Sequence, residues 1–280
     1  MSAEKIKLSI CADDYGITDK VSEAIVNLIS FDRITETSCM VTRPNIKNGI
    51  NSLLAHKNKI NIGLHLTLTD FNSLSNFNKE KKLPSYKNLF FSILKKNISK
   101  NLINDEINAQ LDEFENIFGF APNYIDGHHH VQQLPIINNC LISLMKDRYE
   151  DDNYWIRNSG EKILKIIKRK TNLLKTLALC SYGNKFKKKL KNNNIKTNSG
   201  FSGIYDFSVQ TNYKELFINF LNNISNNHLL MVHPGYSDDK LKDLDNVTDT
   251  RNLEYNFLSS DIFFEILKDK KINLKPLFKI

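Results

Sequence analysis

The sequence predicts an α/β fold, a closed or nearly closed barrel of seven or eight parallel strands joined by crossover helices. Three observations carry that prediction. Short β-branched or alternating runs interleave with stretches of helical spacing along the whole chain, the order that parallel strands with crossover helices produce. Four predicted strand ends bear carboxylates or imidazoles, at Asp13-Asp14, His65, Asp126 to His130, and His233. In a parallel barrel such ends open on one face, where loops build a site. No linker and no internal repeat divides the chain, so residues 1–280 read as one domain with a basic helical insertion around 161–193.

The first strand lies in KLSICADDYG, residues 7–16, where Leu8, Ile10 and Ala12 alternate with smaller or polar neighbours. It stops on two adjacent carboxylates before a glycine turn. Like charges that close raise each other's proton affinity unless a cation lies between them. Taken alone, the pair suits a solvated turn equally well. Thr18 or Asp19 caps a helix built on Val21, Ala24, Ile25 and Leu28. ITETSCMVT, 34–42, is the second strand, closed by Pro44, and 46–56 the second helix. In the third strand, INIGLHLTL (60–68), Ile62, Leu64, Leu66 and Leu68 share one face, which puts His65 on the other.

Residues 71–100 read as a long polar loop carrying a short helix. Ile103, Ile107, Leu111, Phe114 and Phe118 then mark the clearest helix, stopped by Gly119. PNYIDG, 122–127, is the fourth strand, with His128, His129 and His130 directly behind Asp126. A helix over 134–146 and a fifth strand over 154–157 follow. The basic segment reads as helical to Ser181 and again over 185–191. Residues 198–207 form an irregular sixth strand, 213–223 a helix, and HLLMVH, 228–233, a seventh strand that delivers His233. A helix over 253–267 and a terminal strand around Ile272 complete the chain.

With 41% hydrophobic residues a sizeable core is available. No apolar run is long enough to span a bilayer, and the first seven residues lack a signal-peptide core, so the expected location is cytoplasmic. Cys11, Cys39, Cys140 and Cys180 are widely spaced and read as reduced and buried. The net charge of +8 is local. The stretch that opens at Lys162 and closes at Lys191 holds eleven Lys and Arg and no acid, leaving 28 basic against 31 acidic residues elsewhere.

Two imidazoles and a carboxylate suit a catalytic divalent metal with open positions, and a second carboxylate beside them is placed to take a proton from water. Each group also has a plainer reading: His65 as a core histidine, the three histidines as a solvated turn, His233 as a strand cap. ADDYG (12–16), GLHLTL (63–68), DGHHHVQQLP (126–135) and MVHPGY (231–236), with RITETSCMVTRP (33–44), resemble the motifs of the YdjC-like carbohydrate deacetylase family in order. The resemblance implies a distorted, polysaccharide-deacetylase-like (β/α) barrel that removes an N-acetyl group from an amino sugar with one divalent metal. By that resemblance Asp14, His65 and His128 are the metal ligands, Asp13 the general base and His233 the general acid. Tyr15 replaces a usual Phe and adds a hydroxyl near the site. Gln132 stands where the family usually has a third alternate histidine. His130, Arg157 and Tyr15 are substrate-binding candidates. Zinc, manganese, cobalt and magnesium all remain open.

The implied partner is an N-acetylated amino sugar, either a soluble chitooligosaccharide or a lipid-linked one such as undecaprenyl-phosphate N-acetylhexosamine in lipid A modification. A catalytically silent sugar- or lipid-binding barrel is the alternative from another class. In the basic stretch, Ile163, Leu164, Ile167, Leu174 and Leu177 share one side of a helix, and Lys162, Lys165 and Arg169 another. That pattern fits a helix lying on an anionic membrane surface, or a solvated helix whose apolar side faces the barrel. With few aromatics for stacking and no motif around it, the stretch does not read as a nucleic-acid site.

Overall fold

The computed structural model describes residues 5–149, 153–169 and 172–278 and is organised around β1 (Ile6–Tyr15), buried from Leu8 to its end. β2 (Glu36–Cys39), β3 (Asn61–Leu66), β4 (Tyr124–Gly127) and β5 (Trp155–Ile156) follow on one side of it. On the other side lie β7 (His228–Val232) and then β6 (Gly200–Ser202). β8 (Ile272–Leu274) pairs with Ile6–Leu8 at the start of β1. All of these pairings are parallel. Most strand residues are buried on both faces, as an all-parallel sheet requires.

The sheet curls until its two ends nearly meet. Ile156 N donates to Lys196 O at 3.0 Å. Asn158 N donates to Asn198 Oδ1, and Asn198 Nδ2 returns a bond to Asn158 O, each at 2.9 Å. Residues 196–198 thus bridge β5 and the start of β6, giving the distorted barrel that the sequence predicts.

Helices α1 (Asp19–Ser30), α2 (Ile50–Leu54), α3 (Tyr86–Leu94), α4 (Lys100–Phe118) and α5 (Ile137–Arg148) connect the first five strands. α6 (Ile163–Arg169) and α7 (Leu173–Asn192) carry the basic stretch, in which Lys170 lies outside the described residues. α8 (Tyr213–Phe220), α9 (Asp239–Lys242), α10 (Asp249–Ser259) and α11 (Asp261–Asp269) complete the set. Thr18 caps α1, its side chain accepting from Val21 N, and Gly119 ends α4 at φ +76°.

Three helices differ from the sequence reading. The helix expected over 46–56 is divided at Gly49, whose φ of +68° lies outside helical space. α7 runs unbroken through Ser181, and Gly183 lies against the 159–160 backbone, where a Cβ would sit 2.4 Å from Gly160 N. The helix expected over 253–267 breaks at Ser260, which is extended at ψ 160°. All four cysteines are free and buried. Among the described residues no helix is long and apolar enough to cross a membrane.

Candidate active site

The site begins with an irregularity in β1. Ala12 pairs with Thr37 and Tyr15 with Cys39, so β1 advances three residues while β2 advances two. Adjacent residues of a regular strand face opposite sides. Here the extra residue, with Asp14 at φ +68°, lets Asp13 and Asp14 line the same cavity of about 500 Å³. Left-handed backbone at a non-glycine residue is strained and collects at functional sites.

Asp14 Oδ1 lies 3.2 Å from His65 Nε2 and 3.3 Å from His128 Nδ1. It is buried, yet no group meets it with hydrogen-bond geometry. A buried oxygen facing two imidazole nitrogens without a bond fits a cation between them, and an N₂O donor set suits a first-row divalent ion. Behind His65, Nδ1 contacts Asp126 Oδ1 at 2.6 Å, and this carboxylate fixes the orientation of the ring. His65 and Asp126 are register partners on β3 and β4, which places them side by side. Burial opposes a charge on His65, but Asp126 and Asp14 outweigh it and raise the imidazole to about 10.

Asp13 is held differently. Arg157 Nη1 and Nη2 donate to its two oxygens at 2.6 and 2.8 Å, and Ser38 Oγ donates to Oδ1 at 3.3 Å. Burial would raise this carboxyl, yet Arg157 holds it well below the usual carboxylate range. His233 Nε2 stands 4.0 Å from Asp13 Oδ2, with its ring edge-on to Phe207 at 5.2 Å. Its backbone N–H donates to Glu254 Oε2 at 2.6 Å. Burial pushes the His233 imidazole down to about 4, so it is neutral at pH 7.

The structure thus brings together Asp13, Asp14, His65, His128, His130 and His233 around one cavity. His129 and His130 both have positive φ, which turns the three consecutive rings different ways. His129 Nδ1 reaches Thr69 Oγ1 at 3.0 Å, and His130 Nδ1 lies 3.3 Å from Ser159 Oγ. Burial holds His130 well below the ordinary histidine range.

Two substrate-binding candidates are placed elsewhere. The residue after the carboxylate pair turns away from it, so the Tyr15 hydroxyl donates to Gly49 O at 3.4 Å in a separate groove beside Asp19 and Asn48. Arg157 is fully buried between Asp13 and Asp126 and orients Asp13 from behind. Gln132 is buried as well, its Nε2 donating to Arg157 O at 3.2 Å.

Sequence reasoning left Arg251 and Asp245 unassigned. Arg251 Nη2 donates to Asp14 Oδ2 and to Asp245 Oδ2, each at 2.6 Å. No spacing signals a partner 237 positions from Asp14. The cavity wall was missed too: Tyr86 and Phe90 of α3, Lys175 and Tyr182 of α7, and Phe207. Elsewhere on the surface α3 exposes the apolar side chains Phe91 and Leu94, and α6 and α7 expose Ile163, Leu164, Ile167, Leu173 and Leu174. Leu177 instead packs partly buried against the core. Arg169 is likewise turned inward, bound to Glu161 at 2.8 Å and to Phe201 O at 2.8 Å.

The sequence profile described as YdjC-like protein matches residues 7–269. A carbohydrate deacetylase from Clostridium beijerinckii is 25% identical over 96% of this chain and 98% of its own length. A chitooligosaccharide deacetylase from Proteus mirabilis is 30% identical, but the match spans 46% of this chain and about half, 53%, of the relative. A solved Enterococcus faecalis structure, described as a cellobiose-phosphate cleavage protein, superposes with a TM-score of 0.72 at 20% identity over 98% of both chains. That likeness establishes the shared fold.

Proposed function

Because this chain belongs to the YdjC-like protein family, we propose that it is a divalent-metal-dependent N-deacetylase releasing acetate from an N-acetylated amino sugar. One observation carries the reading: Asp14, His65 and His128 converge on a single point, with Asp13 and His233 facing the same cavity. The deacetylase names of the relatives from Clostridium beijerinckii and Proteus mirabilis support the reaction and the substrate class.

Asp14, His65 and His128 would hold the ion, and Asp126 fixes the His65 ring. A bound divalent ion supplies Lewis-acid polarisation of the acetamide carbonyl and acidifies a water. Asp13 is ionised and pinned by Arg157, so its carboxylate accepts the proton of the attacking water without first turning. His233 is neutral at rest and must gain a proton before giving one to the departing amine. Its nearest carrier is Asp13 Oδ2 at 4.0 Å. Phe207 and Glu254 hold His233 in that position.

The preferred substrate on this reading is a lipid-linked N-acetylhexosamine, met by the enzyme on an anionic membrane surface and so suited to lipid A modification. The exposed apolar side chains of α6 and the start of α7 support it, Leu174 being 83% exposed, with Lys162, Lys165 and Lys168 interleaved on α6 and just before it. Burying each such leucine is worth roughly 1.5–3 kcal/mol and each lysine adds about 1 kcal/mol near an anionic leaflet. Arg169, paired inside, contributes nothing to that face.

The test is acetate release from N-acetylglucosamine, chitobiose and a lipid-linked N-acetylhexosamine, with a chelated control. Release that stops on chelation and returns with metal is expected. Absence of acetate from every substrate in the metal-loaded protein would refute the activity. Sedimentation with neutral and anionic vesicles separates the finer claim: equal partition, or faster turnover of chitobiose, would refute the lipid-linked substrate while leaving the deacetylase standing.

A further inference from the structure

Building on the metal-site reading above, we propose that Arg251 is a positioning residue that holds Asp14 to single-oxygen ligation and so sets the affinity of the site. Arg251 lies on α10 and is fully buried. Its Nη2 donates to Asp14 Oδ2 and to Asp245 Oδ2, each at 2.6 Å, and its Nε donates to Val247 O at 2.8 Å. Its carbonyl accepts from Gly235 N at 3.2 Å. One residue therefore joins three separate parts of the site: the bulged end of β1, the 245–247 wall of the cavity, and the turn that follows His233.

The consequence follows from which oxygen is occupied. Asp14 Oδ2 is taken by the guanidinium, and only Oδ1 faces His65 and His128. A carboxylate with its second oxygen free can rotate to present both oxygens or neither. A guanidinium is always charged and delivers its donors in a fixed plane, so it holds that rotation at one setting. Asp245 supplies a second negative charge, so the arginine is not left as a lone buried cation. Arg251 is absent from the cavity lining, and its role is exerted through Asp14.

The test titrates metal-free protein with Co²⁺ in the absence of sugar, reading heat and the visible absorption of the bound ion. Arg251→Gln should weaken Co²⁺ binding by about 10–100-fold, the usual effect of losing a group behind a ligand, and alter the absorption band. Arg251→Lys keeps the charge without the planar fork and should fall between the two. Asp245→Asn leaves the Arg251–Asp14 bond in place and should cost clearly less affinity than Arg251→Gln. Thermal denaturation of the metal-free proteins checks folding. If Arg251→Gln does not fold, Arg251→Lys decides the matter. A wild-type affinity and spectrum in the variant that decides, or an Asp245→Asn loss as large as that of Arg251→Gln, would overturn the role of Arg251. A wild-type protein that takes up no Co²⁺ would instead overturn the metal reading itself, and this role with it.

Discussion

Replacing Glu36 by Gln should stabilise the protein at high pH and leave it unchanged at low pH. Glu36 opens β2 and is fully buried. Its Oε1 accepts from Ser9 Oγ at 2.8 Å and from Leu277 N at 2.6 Å, while Oε2 has no hydrogen-bond partner. Burial pushes the carboxyl up to about 8, against about 4.3 in an unfolded chain. The folded state keeps a proton that the unfolded state has already lost, so stability falls as pH rises through that window. At about 1.36 kcal/mol per unit, a gap of nearly four units sets an upper bound of roughly 5 kcal/mol. Relaxation and water entry should bring the observed loss to about 2–3 kcal/mol, a large part of a typical domain's stability. Glu36→Gln keeps the Oε1 acceptor and removes the ionisation. Urea denaturation of chelated wild type and variant should give curves that coincide near pH 4.5 and separate by about 2–3 kcal/mol at pH 8. A difference independent of pH, or a variant less stable at pH 8, would refute the argument.

Three further outcomes concern the site. His65→Ala should lose stoichiometric divalent metal and activity together while the far-ultraviolet circular dichroism is kept; elemental analysis showing full metal content would remove His65 from the ligand set. Asp13→Asn and His233→Ala should bind metal normally yet lose activity by about 10²–10⁴-fold, the range for a lost proton-transfer group, and near-wild-type turnover in either would sink the assigned roles. Tyr15→Phe should leave kcat/KM within about twofold, because the hydroxyl bonds Gly49 O in a different groove and makes no transition-state contact; a loss beyond tenfold would place that hydroxyl back at the site.

The barrel was readable because its signals are local. β-branched strand runs, the Phe114–Phe118 helix stripe and the Gly119 stop are written in neighbouring residues. So were the residues at strand ends, since a parallel barrel gathers them on one face whatever their separation in sequence. What could not be read depends on contacts across the fold. The pairing of Arg251 with Asp14 links positions with no shared motif. The inward turn of Arg169 depends on Glu161 and the Phe201 carbonyl. The unbroken course of α7 past Ser181 brings Gly183 against the 159–160 backbone, a contact across the fold that only a residue without a side chain allows. Tyr15 shows the limit most clearly. Placement next to Asp13 and Asp14 in sequence gives proximity along the chain, while the backbone leaving the irregular end of β1 sends the next side chain to another surface.

The junction between β5 and the start of β6 bears on how this molecule behaves in a crowd. A sheet that ends leaves a row of backbone donors and acceptors that a second molecule's strand can extend, the usual start of strand-by-strand aggregation. Here β5 and β6 are only two and three residues long. The groups beyond β5 are taken by the Asn158–Asn198 exchange and by Thr197 Oγ1, which donates to Ile156 O at 2.6 Å. A carboxamide imitates one peptide group and then stops, so it satisfies the edge without offering another edge in its place. Two asparagines thereby give an incompletely closed barrel the self-limiting surface that full closure gives others.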